Sequence, residues 1–245
     1  MLFSIDEAQK HLRVNTLLGN APERVREEVT DWLDLHRELS GFYEMAADDP
    51  VLFTLVQQYR GLRMVGLPNL FEALSWSIIG QQINLAFAYS LKRRMVEQFG
   101  QAFGYTGETR YLFPRPAVIA ALQVEDFLPF QFSRRKAEYL IGVAQLFEAG
   151  TLSYEGLRRL SFDESHQKLV SIRGIGNWTA NYVLMKCFRH PEAFPIEDVG
   201  LHNAIKYMLQ MDRKPTMPEL QQMADRWGAW KAYATFYLWH SLVQD

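Results

Sequence analysis

Residues 168–201 read KLVSIRGIGNWTANYVLMKCFRHPEAFPIEDVGL. Asp163 to Ser171 has a helical pattern, Gly174-Ile175-Gly176 interrupts it, and a second helix is expected from Asn177 to about Arg189. The two helices and the Gly-Ile-Gly turn make a hairpin over 163–189. Glycine permits positive φ and lets backbone N–H groups come close to a phosphate. The second helix then aims its N-terminal N–H groups, with their partial positive charge, at the same anion. Carbonyls left free in such a turn can ring a monovalent cation. A grip of this kind reads no base and only fixes position. A tight turn in an ordinary helical bundle carries the same glycines, so the reading depends on what accompanies them. Asn177-Trp178-Thr179-Ala180-Asn181-Tyr182 places two large aromatics one turn apart, and Asp198 follows a proline-marked turn 22 residues beyond Gly176.

Outward from the hairpin, the chain after Asp49 reads as helices. Asp49-Pro50 opens a segment ending near Gly61, with proline in a first turn where its missing N–H costs nothing. Phe71, Leu74, Ile78 and Ile79 recur at helical spacing up to Gly80, and residues 84–98 form another helix. Ser133 to Gly150 has a good N-cap and a closing glycine. Thr216-Met217-Pro218-Glu219 reads as a capping box, and a last helix runs roughly from Ala229 to Val243. About ten helices and no strand are expected after residue 49. Residues 1–40 differ. LFSI, LRVNTLL and VREEVTDWLDL are β-prone stretches broken by Gly19-Asn20-Ala21-Pro22, which predicts a small antiparallel sheet. The expected organisation is a partial sheet domain over 1–48 and a helical region over 49–245. The fold class is mainly α with a small N-terminal antiparallel β-sheet.

Composition narrows the function. The 245 residues are 48% apolar and 22% charged, which excludes a disordered, collagenous or coiled-coil chain. Cys187 is the one cysteine, so an intramolecular disulfide and a cysteine-ligated zinc or iron–sulfur site are excluded. The six histidines show no ligand spacing. No run approaches the roughly 20 apolar residues of a membrane span, and MLFSIDEAQKHL carries acids where a secretion signal is basic. A cytoplasmic monomer, nucleoid-associated if bacterial, with no membrane partner is expected. The net charge of −2 is unevenly spread: residues 1–60 hold 6 Lys/Arg against 11 Asp/Glu, and the rest hold 20 against 17. The basic excess lies with the hairpin, and a small basic face suffices to hold a duplex.

The ordered blocks resemble a family. From Gly61-Leu62-Arg63 to Ser241 the chain is similar to helix–hairpin–helix DNA glycosylases with a Gly/Pro-rich loop and a catalytic aspartate (HhH-GPD), and within them to the 3-methyladenine DNA glycosylase II (AlkA) type. The matching blocks are Phe71-Glu72 through Gln81-Gln82, Arg135-Lys136-Ala137, the hairpin, the Asp198 loop, and Arg226-Trp227-Gly228-Ala229-Trp230-Lys231-Ala232-Tyr233-Ala234.

The resemblance implies a helical glycosylase fold and a base-excision activity. It makes Asp198, rather than Glu197, the catalytic carboxylate, which steadies positive charge on the sugar as the glycosidic bond breaks. An N-cap role for Asp198 is compatible with this. Trp178, Tyr182, Trp239 and His240 would line the base pocket, where indole faces favour a cationic alkylated purine. Strand-cleaving relatives carry a lysine at the Trp178 position; tryptophan cannot form their Schiff base, and Lys168 and Lys186 lie elsewhere. The resemblance thus implies a monofunctional hydrolase for 3-methyladenine- and 7-methylguanine-type lesions. Gln82, or its apolar neighbour Ile83, would fill the hole left by the extruded nucleotide. Gly174, Ile175, Gly176, Asn177 and Thr179 would hold double-stranded damaged DNA. No cofactor is required, and the carbonyls of Val170, Ile172 and Ile175 would take a structural potassium or sodium ion. A non-catalytic DNA-binding module using the same hairpin and a glycosylase for oxidised or deaminated bases are the alternative readings.

Overall fold

The computed structural model describes residues 2–6, 11–15 and 22–243. Strand β1 (Leu2–Asp6) pairs antiparallel with β2 (His11–Asn15). Helices α1 (Pro22–Trp32), α2 (Ser40–Ala47) and α3 (Phe53–Gln58) follow. Next come α4 (Leu70–Gly80) and α5 (Leu85–Phe99), then a hairpin of β3 (Ala102–Tyr105) and β4 (Glu108–Tyr111). Short α6 (Pro116–Ala120) and α7 (Val124–Phe127) lead into α8 (Arg134–Glu148) and α9 (Tyr154–Arg158). The chain ends with α10 (Phe162–Val170), α11 (Asn177–Phe188), α12 (Val199–Met208), α13 (Met217–Trp227) and α14 (Lys231–His240). No helix among the described residues is long and apolar enough to cross a membrane.

The core is organised on α4. Eight of its residues, from Leu70 to Ile79, are buried on every side of the helix, as expected of an element enclosed by others. It packs against α5, α8 and α11. Asn69 caps it, accepting from the Glu72 amide. The N-terminal half is tied to the C-terminal helices through buried Asp49. One oxygen accepts the amides of Val51 and Leu52, and the other accepts the Trp227 indole N–H at 3.0 Å. Tyr233, also buried, donates to Asp34 at 2.7 Å.

Two expectations need correction. VREEVTDWLDL is not a strand: it lies largely in α1, where Val25 and Val29 form a buried i, i+4 pair among charged residues. The sheet expected over 1–48 therefore reduces, among the described residues, to one strand pair beside two helices. The expectation of no strand after residue 49 also fails, because β3 and β4 form a hairpin. Its turn holds Thr106 at φ 49° and Gly107 at φ 81°, the double positive φ that two-residue hairpins favour. Threonine is rare in that position, and neither strand is buried, so no alternating pattern marks it. The capping box at Thr216–Glu219 and the Ser133 cap of α8 form as expected.

Candidate active site

The hairpin turn is set by Gly174. Its φ is 93°, and a Cβ there would lie 2.4 Å from the Tyr139 ring, so both backbone and space demand glycine. Gly176 differs. Its φ of −96° suits any residue, and an added Cβ would meet nothing. The hairpin leaves the N–H groups of Gly174, Gly176, Asn177, Trp178 and Thr179 without a backbone acceptor among the described residues, the arrangement that receives an anion. Two expected contacts are narrower than the sequence implied. Ile175 is buried and its N–H donates to the Ile172 carbonyl. Thr179 is 3% exposed, so it can offer its N–H but not its hydroxyl. For the cation site, the Val170 and Ile175 carbonyls accept no backbone hydrogen bond among the described residues, while that of Ile172 already serves Ile175. Carbonyl oxygens of this kind fit an alkali ion.

Helix α11 carries the site's walls, and the 190–198 loop returns Asp198 to them. Asn181, 6% exposed, is the strut: its Oδ1 accepts from the Phe194 amide, and its Nδ2 donates to the Asn177 carbonyl. Asn177 in turn donates to Glu197 and meets His166 at 2.8 Å. The His202 ring bonds to the Ile196 carbonyl at 2.6 Å. Sequence reasoning missed this polar frame, because its members are scattered over α10, α11 and α12. It gives the two adjacent acids separate work: Glu197 braces the loop, and Asp198 faces the aromatics.

Asp198 caps α12, its Oδ1 accepting the Leu201 amide at 2.7 Å. The same oxygen accepts the Trp239 indole N–H at 2.7 Å, and Oδ2 accepts that of Trp178 at 2.8 Å. Trp178 and Trp239 thus do more than line a slot: each holds one carboxylate oxygen. Charge-assisted bonds of this type contribute about 1.5–3 kcal/mol each. Tyr182 stacks on Trp178 with centroids 5.2 Å apart and planes 14° from parallel, and meets Trp239 at 6.2 Å. Burial pushes its phenol well above the ordinary tyrosine range.

His240 is not brought into this group. Its ring packs edge-on against Tyr59, 4.5 Å away, because one residue along α14 from Trp239 turns the side chain by about 100°. Two aromatics absent from the sequence reading extend the site instead. Trp76 lies beside the Tyr182 hydroxyl and meets Tyr89 at 4.8 Å with the ring planes 39° apart. Tyr89 is 59% exposed, and Leu85, one turn before it, is exposed as well. Nothing in local spacing links 76, 89 and 182; only the packing of α4, α5 and α11 does.

The turn between α4 and α5 sets Gln82 and Ile83 apart. Gln82 is exposed and left-handed, with φ 57°, whereas Ile83 packs against the core. Gln81 ties this turn to the hairpin, donating from Nε2 to the Gly174 carbonyl at 2.8 Å. Lys136 is half-buried and donates to the Ile79 carbonyl at the end of α4. Lys186 lies two turns beyond Trp178 on α11 and donates to the Val65 carbonyl; burial lowers its ammonium to a pKa of about 8. Burial pushes the Cys187 thiol up to about 12, which marks it as inert core. No group of three or more His, Cys, Asp or Glu able to hold a metal occurs among the described residues.

Comparison with known proteins shows the family. The chain is 47% identical over 220 residues to the DNA-3-methyladenine glycosylase of Bacillus subtilis, covering 90% of this chain and 73% of the relative. It is 27% identical over 184 residues to DNA-3-methyladenine glycosylase 2 of Escherichia coli, covering 74% and 61%. The solved structure of the 3-methyladenine DNA glycosylase from Archaeoglobus fulgidus superimposes with a TM-score of 0.83 at 27% identity, over 98% of this chain and 83% of that one. Residues 75–229 match the family model described as HhH-GPD superfamily base excision DNA repair protein. Hairpin, aspartate loop and aromatic walls all lie in or beside that span, and the chain belongs to the HhH-GPD superfamily of base excision DNA repair proteins.

Proposed function

We propose that this chain is a monofunctional DNA glycosylase that hydrolyses the N-glycosidic bond of alkylated purines such as 3-methyladenine and 7-methylguanine. The observation that carries the reading is the Asp198 carboxylate, held by the Trp178 and Trp239 indoles and, among the described residues, in no ion pair with a lysine. The names of its relatives point to the same chemistry. The free N–H groups of the hairpin hold a phosphate of damaged duplex DNA, and Gln82 takes the place of the extruded nucleotide. The flipped base enters against Trp178, Tyr182 and Trp239, whose π-faces favour the positive charge of an alkylated purine.

As the glycosidic bond breaks, its electron pair leaves with the base, which becomes neutral. The sugar gains positive charge at C1′, and Asp198 stabilises it across a short, water-poor gap. Water then adds at C1′ and gives up a proton to the carboxylate or to solvent, leaving an abasic site. An alkali ion on the carbonyls of Val170, Ile172 and Ile175 would add positive charge at the gripped phosphate.

The test is free-base release from methylated duplex DNA under single-turnover conditions, with borohydride trapping in parallel. Base release without a covalent adduct is expected. Efficient trapping and strand cleavage by the natural chain would overturn the monofunctional assignment and turn attention to Lys186 and Lys168. Trp178→Lys is the converse probe. It sets an amine near Asp198, so adduct formation is expected to appear.

A further inference from the structure

At the far end of α11 from the hairpin lies a cavity of about 270 Å³ between the C-terminal side of α1, helix α9 and the start of the 190–198 loop. Its lining includes Arg37, Arg158, Arg189 and His190 together with Asp31 and Asp34. Arg189 is the unusual member. It closes α11 with φ 50°, a left-handed conformation that glycine adopts freely and arginine does not. It is 6% exposed. One guanidinium nitrogen meets Asp31 at 3.1 Å and another donates to the Cys187 carbonyl, but Nε is buried without a partner. The neighbouring His190 Nδ1 is also buried and unpartnered. Buried polar groups are normally hydrogen-bonded, and these two nitrogens belong to residues of the cavity wall.

The charges lining it leave one cation in excess, three arginines against two aspartates. Asp34 is already held by Arg37 Nε at 2.8 Å and by the Tyr233 hydroxyl. Asp31 is held by Arg189 and is itself mostly exposed. Once these pairs are formed, Arg158 remains without an ion pair among the described residues. The space equals roughly nine water volumes at about 30 Å³ each, room for a tetrahedral oxyanion with its remaining waters. We propose that this cavity is a binding site for a phosphate-sized oxyanion, received by Arg189 Nε, His190 and Arg158. The site stands apart from the DNA grip. The 12 residues of α11 put it about 18 Å from the hairpin. It also sits at the root of the catalytic loop: Arg37 donates to the Arg189 carbonyl at 2.9 Å, joining the α1 side to the residues that lead to Asp198. An oxyanion here fastens that joint.

The experiment uses the full chain and inorganic phosphate. Thermal unfolding is followed while sodium phosphate rises from 1 to about 50 mM, with sodium chloride holding ionic strength constant. The melting temperature is expected to rise and saturate; at a phosphate concentration 100 times Kd the folded-to-unfolded ratio rises by about 100-fold. Arg158→Gln, a change on an exposed helix end outside the catalytic machinery, is expected to remove most of the rise while base release without phosphate stays unchanged. His190→Gln, chosen because Arg189→Gln threatens folding, is expected to weaken the response at least several-fold. An equal rise with chloride alone, or a full phosphate response in Arg158→Gln, overturns the site and leaves the cavity to water. Phosphate competing with DNA at the hairpin affects the natural chain and Arg158→Gln alike, which separates the two anion sites.

Discussion

Asp198 serves two structures at once. As the N-cap of α12 it holds the Leu201 amide, and as the carboxylate of the site it receives two indole N–H groups. Asn keeps an oxygen for the cap but sets its NH2 against the Trp178 indole N–H, so Asp198→Asn is expected to keep the fold and lose about 1–3 kcal/mol in a urea melt. Excision is expected to fall by about 10²–10³-fold or more, since one electrostatic stabiliser is lost. Near-natural single-turnover rates would falsify the catalytic assignment. Trp178→Phe and Trp239→Phe keep a ring and delete one donor. Each is expected to slow excision by about 10–150-fold, the equivalent of about 1.5–3 kcal/mol; rates within twofold of natural would mean that the indoles only pack. Lys186 allows a pH test of stability. Its folded pKa of about 8, lowered by burial, lies below the unfolded value near 10.4. Between those values the unfolded chain binds more protons, so this group's contribution to stability rises as pH rises from 8 to 10, and its cost is fully present below 8. The shift corresponds to about 3 kcal/mol as an upper bound. In paired melts at pH 7 and pH 9.5, Lys186→Met is expected to gain most over the natural chain at pH 7, and a constant difference across pH would contradict it.

The elements differ in how openly the sequence declares them. Helices with caps and an apolar stripe, such as α8 and α13, are legible from Ser133, Thr216 and Glu219 alone. Helix α1 is not, because valines at 25 and 29 suit a strand or a helix equally and only burial on one face decides. The β3–β4 hairpin hides because neither face is buried and its turn uses Thr106 where asparagine or glycine is usual. The hairpin at 174–176 is the clearest case of a motif whose two glycines have different jobs. Gly174→Ala forces φ 93° on a residue with a Cβ and drives that Cβ into Tyr139. A loss of at least about 1–3 kcal/mol in a denaturant melt is expected. Gly176→Ala leaves the free protein within about 0.5 kcal/mol, since nothing lies within reach of the methyl group. Its cost appears on DNA, where the methyl stands between N–H and phosphate. Affinity for abasic-site duplex is expected to drop several-fold for every sequence. Unchanged DNA binding in Gly176→Ala would move the phosphate away from this turn.

At the scale of the whole molecule, the net charge of −2 and a hairpin that offers neutral N–H groups would set the salt response of the proposed DNA contact. Counterion release counts cations on phosphates, so the slope of log affinity against log salt is expected to be no steeper than about −4. A slope near −8 in fluorescence titrations from 50 to 200 mM salt would require a basic surface beyond the hairpin. Sequence reasoning placed Asp198, Trp178, Tyr182 and Trp239 because each sits in a contiguous motif. It could not place Trp76, Tyr89, Asn181 or Arg189, whose neighbours come from helices far apart in the chain. It misplaced His240, because adjacency to Trp239 says nothing about which way a helix turns. Gln81 clamps the turn that bears Gln82 to the Gly174 carbonyl, so on the proposed function the finger that would probe and the hand that would hold are one piece. A device joined in this way would test bases where it halts rather than while it slides.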